Sequence, residues 1–381
     1  MIDSDVLVQQ PNKGVKSSVE TEISVASQWQ LIRWRFMRHK VAVVALFILA
    51  FFYLVVLFAE FIAPYDPNAY DVNYTLAPPQ GIHFFDEDGQ FQLRPFVYGL
   101  VSEFNTTTYE TTYEIDPTQK QPIYFFVRGA SYKMWGLFEN DLHLFGVKEG
   151  TMFLFGTNER GHDMLSRVIF GGRISLSVGL IGIAISSIIG IFLGGISGYF
   201  GGTVDLVIQR IIEFLRSIPT LPLWMALSVA LPPSWSMVER YIGIVAILSL
   251  VGWTGLARVV RSKFMALREE EYVMAGKLNG SSEMRLIFKH MLPSFYSHII
   301  ASLTLSVPEM ILGETALSFI GLGLQDPAIS WGVLLKDAQH IRVLANATWL
   351  LLPGLFIAIT ILCFNFVGDG LRDAADPYAN I

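Results

Sequence analysis

The sequence predicts an all-α polytopic membrane protein of about six transmembrane helices, with a β-rich external insertion between the first and second spans. The chain has 381 residues, of which 52% are hydrophobic and only 16% are charged. Its mean hydropathy of +0.46 is too apolar for a soluble chain of this length. Several apolar runs reach the roughly 20 residues that a helix needs to cross a bilayer.

The first apolar run covers 41–63 and follows a cluster of basic residues that includes Arg35, Arg38 and Lys40. Such a flank keeps the N-terminus in the cytoplasm, so we interpret the run as a permanent anchor that exits on the outside. The preceding residues, 1–40, are predicted to form a cytoplasmic tail and then an interfacial helix, or equally a simple cationic flank. The remaining spans are predicted near 174–197, 206–231, 240–256, 297–319 and 349–367.

The charge distribution predicts the orientation of the chain. Counting from the first span places 257–292 in the cytoplasm, and this segment is rich in lysine and arginine, as the positive-inside rule requires. Both termini are then cytoplasmic, and the extracytoplasmic insertion covers 64–155. The insertion is acidic, and the whole chain has a net charge of −6. This balance excludes a nucleic-acid-binding role.

Within the insertion, the pattern indicates strands and turns. Residues 109–115 alternate in polarity and 123–127 are β-prone, while Asp88-Gly89 and Asp116-Pro117 are turn signals. A small β-rich subdomain is therefore expected. It could serve as a lid over the pathway, as a docking surface or as a passive cover.

Two groups of ionisable residues fall inside predicted spans. Arg210, Glu213 and Arg216 share one helical stripe near the cytoplasmic end of the third span, where a structural role is favoured. Pro219 and Pro222 follow the stripe and permit a kink. The second group, Glu309 and Glu314 in the fifth span, are the candidates for lining a water-filled pathway. The alternative for Glu314 is that it reaches water or caps a neighbouring group.

The sequence offers little for an enzyme. It has no GxxxxGK[ST] loop to bind ATP, so ATP energy must come from a partner. The string around Ser197 matches intramembrane serine proteases, but no predicted span centre contains the histidine that such a serine needs. The single cysteine, Cys363, and scattered histidines predict no metal site. An ion-coupled secondary transporter remains the main alternative, although clear repeats and mid-membrane ion ligands are missing.

The segment 258–293 is the most informative part of the chain. An acidic triplet ending at Glu271 favours a helix start, Gly280 suits a helix end, and helical composition resumes from Glu283 to Met291 before Pro293. A short exposed helix between two spans is suited to binding a partner, although a solvated connecting loop is the default interpretation.

This segment resembles the EAA loop of ATP-binding-cassette (ABC) importer permeases. The pattern there is Glu-Ala-Ala, three residues, Gly, nine residues, Ile, one residue and Leu-Pro. Four residues fall in register: Ala275, Gly280, Leu292 and Pro293. Three residues depart from the pattern: Met274, Gly276 and His290.

Other stretches are similar to the C-type permease subunit of the dipeptide and oligopeptide branch of that family. Residues 155–167 resemble its GTDxxGRDxxSR motif, with Asn158 and His162 as departures. Further similar segments are 63–67, 316–325, 330–332 and 368–373. The resemblance covers nearly the whole chain except the N-terminal tail and residues from about 81 to 152.

The resemblance implies a non-catalytic permease domain over 156–381, with the helical arrangement of a type I ABC importer, in a bacterial or archaeal inner membrane. Implied partners are membrane lipid, a homologous B-type permease, two ABC ATPases and an extracytoplasmic binding protein. ATP and magnesium would bind the ATPases, and this chain would hold no cofactor. Implied substrates are peptides, with oligosaccharides or nickel complexes as alternatives. The expected ATPase-coupling residues are Glu271, Met274, Ala275, Gly276, Gly280, Ser281, Leu292 and Pro293.

Overall fold

A bundle of long helices forms most of the protein, in a computed structural model that describes residues 28–86, 88–106, 110–339 and 345–375. Five helical segments are long and apolar enough to cross a membrane. They are α2 (Lys40–Leu57), α4 (Met164–Phe200), α7 (Met237–Leu267), the segment Glu283–Ile320 and the segment Thr348–Ala375. The fourth contains α9 (Glu283–Arg285), a π turn, a 3₁₀ turn and α10 (Tyr296–Ile320), and the fifth contains α12 (Leu352–Ala375). A four-residue helix, α3 (Ala59–Ile62), follows α2.

The predicted third span, 206–231, is not one continuous helix. It consists of α5 (Gly202–Ser217) and α6 (Thr220–Val229), which are separated at Ile218 and Pro219. Ile218 is extended, with ψ at 129°, because the ring of the following proline disfavours helical geometry. By length and composition the described residues therefore contain five candidate spans, and α5 and α6 are shorter helices.

Helices α4 and α7 lie in close contact along a stripe of glycines. Gly190, Gly194 and Gly198 face backbone carbonyls of α7, and a Cβ atom on Gly194 would overlap the Ala257 carbonyl oxygen. Small residues at four-residue spacing allow two backbones to approach in this way. The glycine stripe therefore serves close packing of these two helices.

The insertion contains two antiparallel β units. A three-stranded sheet has the order β1 (His83–Phe85), β2 (Phe91–Asn105) and β3 (Glu110–Pro122). A separate hairpin pairs β4 (Tyr124–Met134) with β5 (Phe138–Gly146). The expected β-rich insertion is thus present.

One predicted turn of the insertion is confirmed and one is wrong. Gly89 has a φ of 74° and donates to the Asp86 carbonyl, which closes the turn between β1 and β2. Asp116 and Pro117 instead lie inside β3, at an irregularity in its pairing with β2. The Asp116 carboxylate accepts the backbone N–H of Thr118, so it shapes a bulge rather than a reversal of the chain.

The two ends of the bundle differ. The helix α8 (Glu271–Leu278) lies at one end, where Lys277 contacts Tyr199 at the end of α4. The insertion lies at the other end. The amphipathic segment α1 (Gln28–Arg38) packs through Phe36 near Gly370 in the last turns of α12. The predicted tail, 1–27, is outside the described residues.

Candidate functional site

Helix α8 is a short helix with well-defined ends. It begins at Glu271, directly after the acidic residues that favour a helix N-terminus. At its other end Gly280 has a φ of 73°, its N–H donates to the Lys277 carbonyl, and the Ser281 N–H donates to the Gly276 carbonyl. These two bonds form a Schellman motif, which requires a left-handed residue and so favours glycine at 280.

Few contacts hold α8 against the bundle. Val273 is its one fully buried side chain, and a methyl group on Gly276 would lie 2.6 Å from Leu286 Cδ2. The Lys277 ammonium lies 5.1 Å from the centre of the Tyr199 ring, a cation–π contact. Val273 belongs to an apolar cluster, here called the α8 cluster, that draws on α4, α7 and the Glu283–Ile320 segment. Its members are Tyr199, Leu256, Val260, Phe264, Val273, Ile287, Met291, Leu292, Phe295 and Ile299.

The opposite face of α8 is exposed. Glu271, Met274, Ala275 and Leu278 follow the i, i+3, i+4, i+7 spacing and so lie on one side of the helix, here called the α8 stripe. The Leu278 side chain is 89% exposed. The last three members of the stripe are apolar, and apolar residues on one side of a helix are the form in which helices enter partner grooves.

The structure separates the predicted coupling residues into three groups. Glu271, Met274 and Ala275 are on the exposed stripe, and Gly276, Gly280 and Ser281 define the seat and end of the helix. Leu292 is buried in the α8 cluster and Pro293 is half-buried in a 3₁₀ turn. Sequence reasoning missed Leu278 and Val273. The signal for Leu278 was an apolar residue seven positions after Glu271.

A polar cavity of about 390 Å³ lies beside the break between α5 and α6. It is here called the break cavity. Glu309 is exposed there, and Arg216 lines the same space. Its main polar lining residues are Arg216, Thr220, Thr254, Ser302, Ser306 and Glu309. Ionisable residues of both signs on a polar cavity within a helical bundle are the arrangement expected of a solute pathway.

Glu314 does not lie on this cavity. Its side chain is 0% exposed, and its carboxylate accepts hydroxyl groups from Ser175 (3.3 Å), Ser318 (2.8 Å) and Ser330 (2.7 Å). Each serine oxygen in turn accepts one backbone N–H. The three donors of these bonds are Leu324, Trp331 and Val333. The prediction that Glu314 lines a pathway within this chain is therefore wrong. The alternative, that Glu314 caps neighbouring groups, agrees with its geometry.

The other ionic groups near α5 are paired in different ways. Arg210 and Glu213 form an exposed pair at 2.7 Å, as their spacing predicts. Arg261 of α7 binds Asp205 of α5 through two bonds, of 2.5 and 2.6 Å. Ser197 donates to the same Asp205 carboxylate. Because its partners are Asp205 and Gln209, Ser197 has no histidine base, and the protease alternative finds no support in its surroundings.

The motif at 155–167 closes the insertion end of the bundle. Asp163 caps α4 by accepting the Ser166 N–H, and burial raises the pKa of Asp163 to about 6. Burial lowers the pKa of His162 to about 4, with the nearby charges of Arg167 and Arg160 acting in the same direction. Arg160 and Arg167 both donate to the Asp326 carboxylate, at 3.1 and 3.0 Å. The motif thus ties the start of α4 to the segment after α10.

Two regions of the sequence, 27–79 and 190–380, match known protein families. Residues 27–79 match the family described as "N-terminal TM domain of oligopeptide transport permease C". The chain is 41% identical over 224 residues to the "Dipeptide transport system permease protein DppC" of Bacillus subtilis, covering 58% of this chain and 68% of that one. It is 42% identical over 231 residues to the "Oligopeptide transport system permease protein OppC" of Haemophilus influenzae, covering 60% and 71%.

Among solved structures, the chain is similar to an inward-facing MetNI methionine ABC transporter, with 18% identity over 55% of this chain and 97% of that chain. The TM-score is 0.43, which is too low to support a conclusion. A decisive match covers half of the sequence, because residues 190–380 match the family described as "Binding-protein-dependent transport system inner membrane component". The chain therefore belongs to the family of binding-protein-dependent transport system inner membrane components.

Proposed function

We propose that this chain is the permease subunit of an ATP-driven importer of peptides, and that α8 couples it to the ATPases. The observation that carries the coupling role is the exposed α8 stripe on a helix that is seated by Val273. The peptide substrate rests on the relatives, which are dipeptide and oligopeptide permeases. As a permease of this family, the chain is a non-catalytic subunit, and separate ATPase subunits hydrolyse ATP.

The proposed assembly contains a second, homologous permease, two ABC ATPases and an extracytoplasmic binding protein, in contact with membrane lipid. ATP and magnesium bind to the ATPases, and this chain holds no cofactor. Membership of a transport family with these components supports the general assembly. The identity of each partner is part of the proposal.

The proposed topology has six crossings, because α5 and α6 together span the bundle as a broken pair. The α8 end is cytoplasmic, with both termini on that side and the insertion outside the inner membrane. Basic residues concentrated at the α8 end support this orientation. They include Arg38, Lys40, Lys263, Arg268, Lys289 and Arg372. The proposed domains are 1–40, 41–63, 64–155 and 156–381, with the coupling loop at 258–293.

The coupling step follows from how α8 is held. A partner groove that receives Met274 and Leu278 moves α8 as a rigid body when the ATPases close. The α8 cluster passes the displacement to three membrane-spanning segments, because its side chains come from α4, α7 and Glu283–Ile320. ATP binds the closed ATPase dimer more tightly than the open one, and this difference supplies the free energy.

The break cavity is the proposed part of the pathway within this chain. Arg216 and Glu309 place a cation and an anion on one polar surface. A peptide carries one ammonium and one carboxylate at its termini, so opposite charges on a shared cavity suit it. The break between α5 and α6 lies beside the cavity, where irregular backbone is tolerated within a membrane.

Leu278→Asp tests the coupling role, with Leu93→Asp as a matched control. Both leucines are 89% exposed, but Leu93 lies on β2 in the insertion. Burying one leucine contributes about 2 kcal/mol, or about 30-fold in affinity, and a charge in the groove costs more.

The assay is co-purification of the ATPases and ATP-dependent dipeptide uptake in proteoliposomes. We expect both to fall sharply for Leu278→Asp and to persist for Leu93→Asp. Equal recovery of ATPases with both variants would contradict the role of α8. Uptake that continues without ATP and stops with an ionophore would overturn the importer itself.

A further inference from the structure

The turn of the β4–β5 hairpin exposes an apolar cluster, here called the hairpin tip, that consists of Met134–Phe138. Leu137 is 75% exposed and Phe138 is 63% exposed, and Trp135 is exposed beside them. Trp135 and Gly136 occupy the central turn positions with φ values of 51° and 74°. The Leu137 N–H donates to the Met134 carbonyl and closes the turn.

Tryptophan is an unusual residue at the first central position of this turn. A positive φ at both central positions is the type I′ geometry, which favours asparagine, aspartate or glycine. A bulky residue held in the left-handed region is sterically strained, and such strain persists where the surroundings compensate for it. The position of Trp135 therefore needs an explanation beyond turn formation.

The compensation is a direct bond to the end of α2. The Trp135 indole N–H donates to the Leu57 carbonyl at 2.8 Å, and its ring contacts the Phe58 ring at 5.8 Å. Phe61 donates its N–H to the Phe58 carbonyl rather than to that of Leu57. The indole thus supplies a donor to a carbonyl at the end of a spanning helix, where an unpaired group is costly.

This bond fixes the level of the hairpin tip relative to the membrane. α2 runs over Lys40–Leu57, and 18 residues of helix rise about 27 Å, close to the thickness of the hydrocarbon core. The tip bonded to Leu57 consequently lies at the membrane boundary. Its apolar surface continues the exposed apolar face of α2, which includes Phe51, Leu54 and Leu57.

Charged residues limit how far the hairpin can enter the lipid bilayer. Lys133 and Glu139 pair directly behind the tip at 3.2 Å, and both are exposed. Arg128 and Asp141 face each other further along the strands at 3.9 Å. These charged pairs lie behind the apolar tip, and a tryptophan at such a boundary is typical of residues that sit among lipid headgroups.

We propose that the hairpin tip inserts into the lipid at the membrane boundary and anchors the insertion beside α2. The occupant of this surface is lipid, because the tip is level with the end of a span and continuous with its apolar face. Insertion of the hairpin tip into lipid does not depend on what the chain transports, so this inference is independent of the proposed function.

The test uses the complete transporter in nanodiscs, with a Cys363→Ala background that removes the native thiol. Leu137→Cys and Phe138→Cys are labelled with an environment-sensitive fluorophore, and Leu93→Cys on the three-stranded sheet is the matched control. Lipids brominated along the acyl chain quench from the membrane, and iodide quenches from water.

We expect blue-shifted emission, quenching by brominated lipid and loss of iodide quenching at residues 137 and 138, with the reverse at residue 93. Iodide quenching at 137 and 138 equal to that at 93 would overturn the proposal, because the tip would then be in water. Protection from both quenchers would also overturn it, because a protein partner would then cover the tip. Two labelled positions separate a local labelling artefact from the behaviour of the tip.

Discussion

Glu309 and Glu314 lie five residues apart on α10, and their surroundings predict opposite consequences of substitution. Glu314 is buried and binds three serine hydroxyls, whereas Glu309 is exposed on the break cavity. We therefore expect Glu314→Ala to reduce stability and Glu309→Ala to reduce transport. Conservative amide variants, Glu314→Gln and Glu309→Gln, keep the size of each side chain and isolate the effect of the carboxylate.

The magnitude for Glu314 follows from its bonds. Each of the three buried serine hydroxyls that loses its acceptor costs about 1–3 kcal/mol. We expect a loss of about 3–5 kcal/mol for Glu314→Ala, which corresponds to a fall of about 4–6 °C in the unfolding temperature. Glu314→Gln retains an acceptor and should lose less. Glu309→Ala should change the free energy of unfolding by no more than about 0.5 kcal/mol, as is usual for exposed residues.

The assay compares thermal unfolding in detergent with peptide uptake at a temperature where every variant is folded. The network also fixes the segment between α10 and the short helix α11 (Trp331–Asp337), because Ser330 caps α11 and binds Glu314. Proteolysis of that segment should increase in Glu314→Ala. If Glu314→Ala unfolds like the wild type but abolishes uptake, the structural assignment is refuted and Glu314 belongs to the pathway.

Three further predictions concern single positions. Gly194→Ala should destabilise the chain by about 1–3 kcal/mol in thermal unfolding, because the added methyl group meets an α7 carbonyl. Gly354→Ala is the control and should leave the stability unchanged, because its methyl group meets only side-chain atoms at ordinary contact distance. Gly280→Ala should lower ATPase co-purification by loosening the end of α8 at a cost of about 1 kcal/mol, and Gly280→Asn should lower it less. The pKa of His162 is lowered to about 4, so its contribution to stability is complete above pH 6.5 and falls as the pH drops toward 4. His162→Gln should remove this contribution and leave the opposite one of Asp163, whose pKa is raised to about 6. A pH profile of unfolding identical to that of the wild type between about pH 4 and 6.5 would contradict the prediction.

Five spans could be predicted, because the length of an apolar run can be counted from the sequence alone. The break at Ile218 and Pro219 was predicted only as a permitted kink, since a proline ends a helix or bends it according to what its neighbours supply. Glycines at four-residue spacing indicate close helix packing, because close approach of backbones has few other solutions, but the spacing does not identify α7 as the partner.

Features that depend on distant residues were less accessible. The three serines around Glu314 include Ser175, which is 139 residues away, so its burial could not be deduced from local pattern. Asp116-Pro117 has the same composition in a turn and in a bulge, and only pairing with β2 distinguishes them. Leu278 was overlooked because an isolated leucine between polar residues is informative only once the helix and its exposed face are known.

In α8, the residues that attach the helix to the bundle are different from the residues that face outward. Val273 and Gly276 attach the helix to its own chain, while Met274, Ala275 and Leu278 face away from it. Under the proposed coupling role, the outward residues can change during evolution without endangering the fold. Partner choice can then diverge between related transporters in one cell by substitutions on one side of an eight-residue helix, and exchanging those residues between two such permeases should exchange the ATPases they recruit.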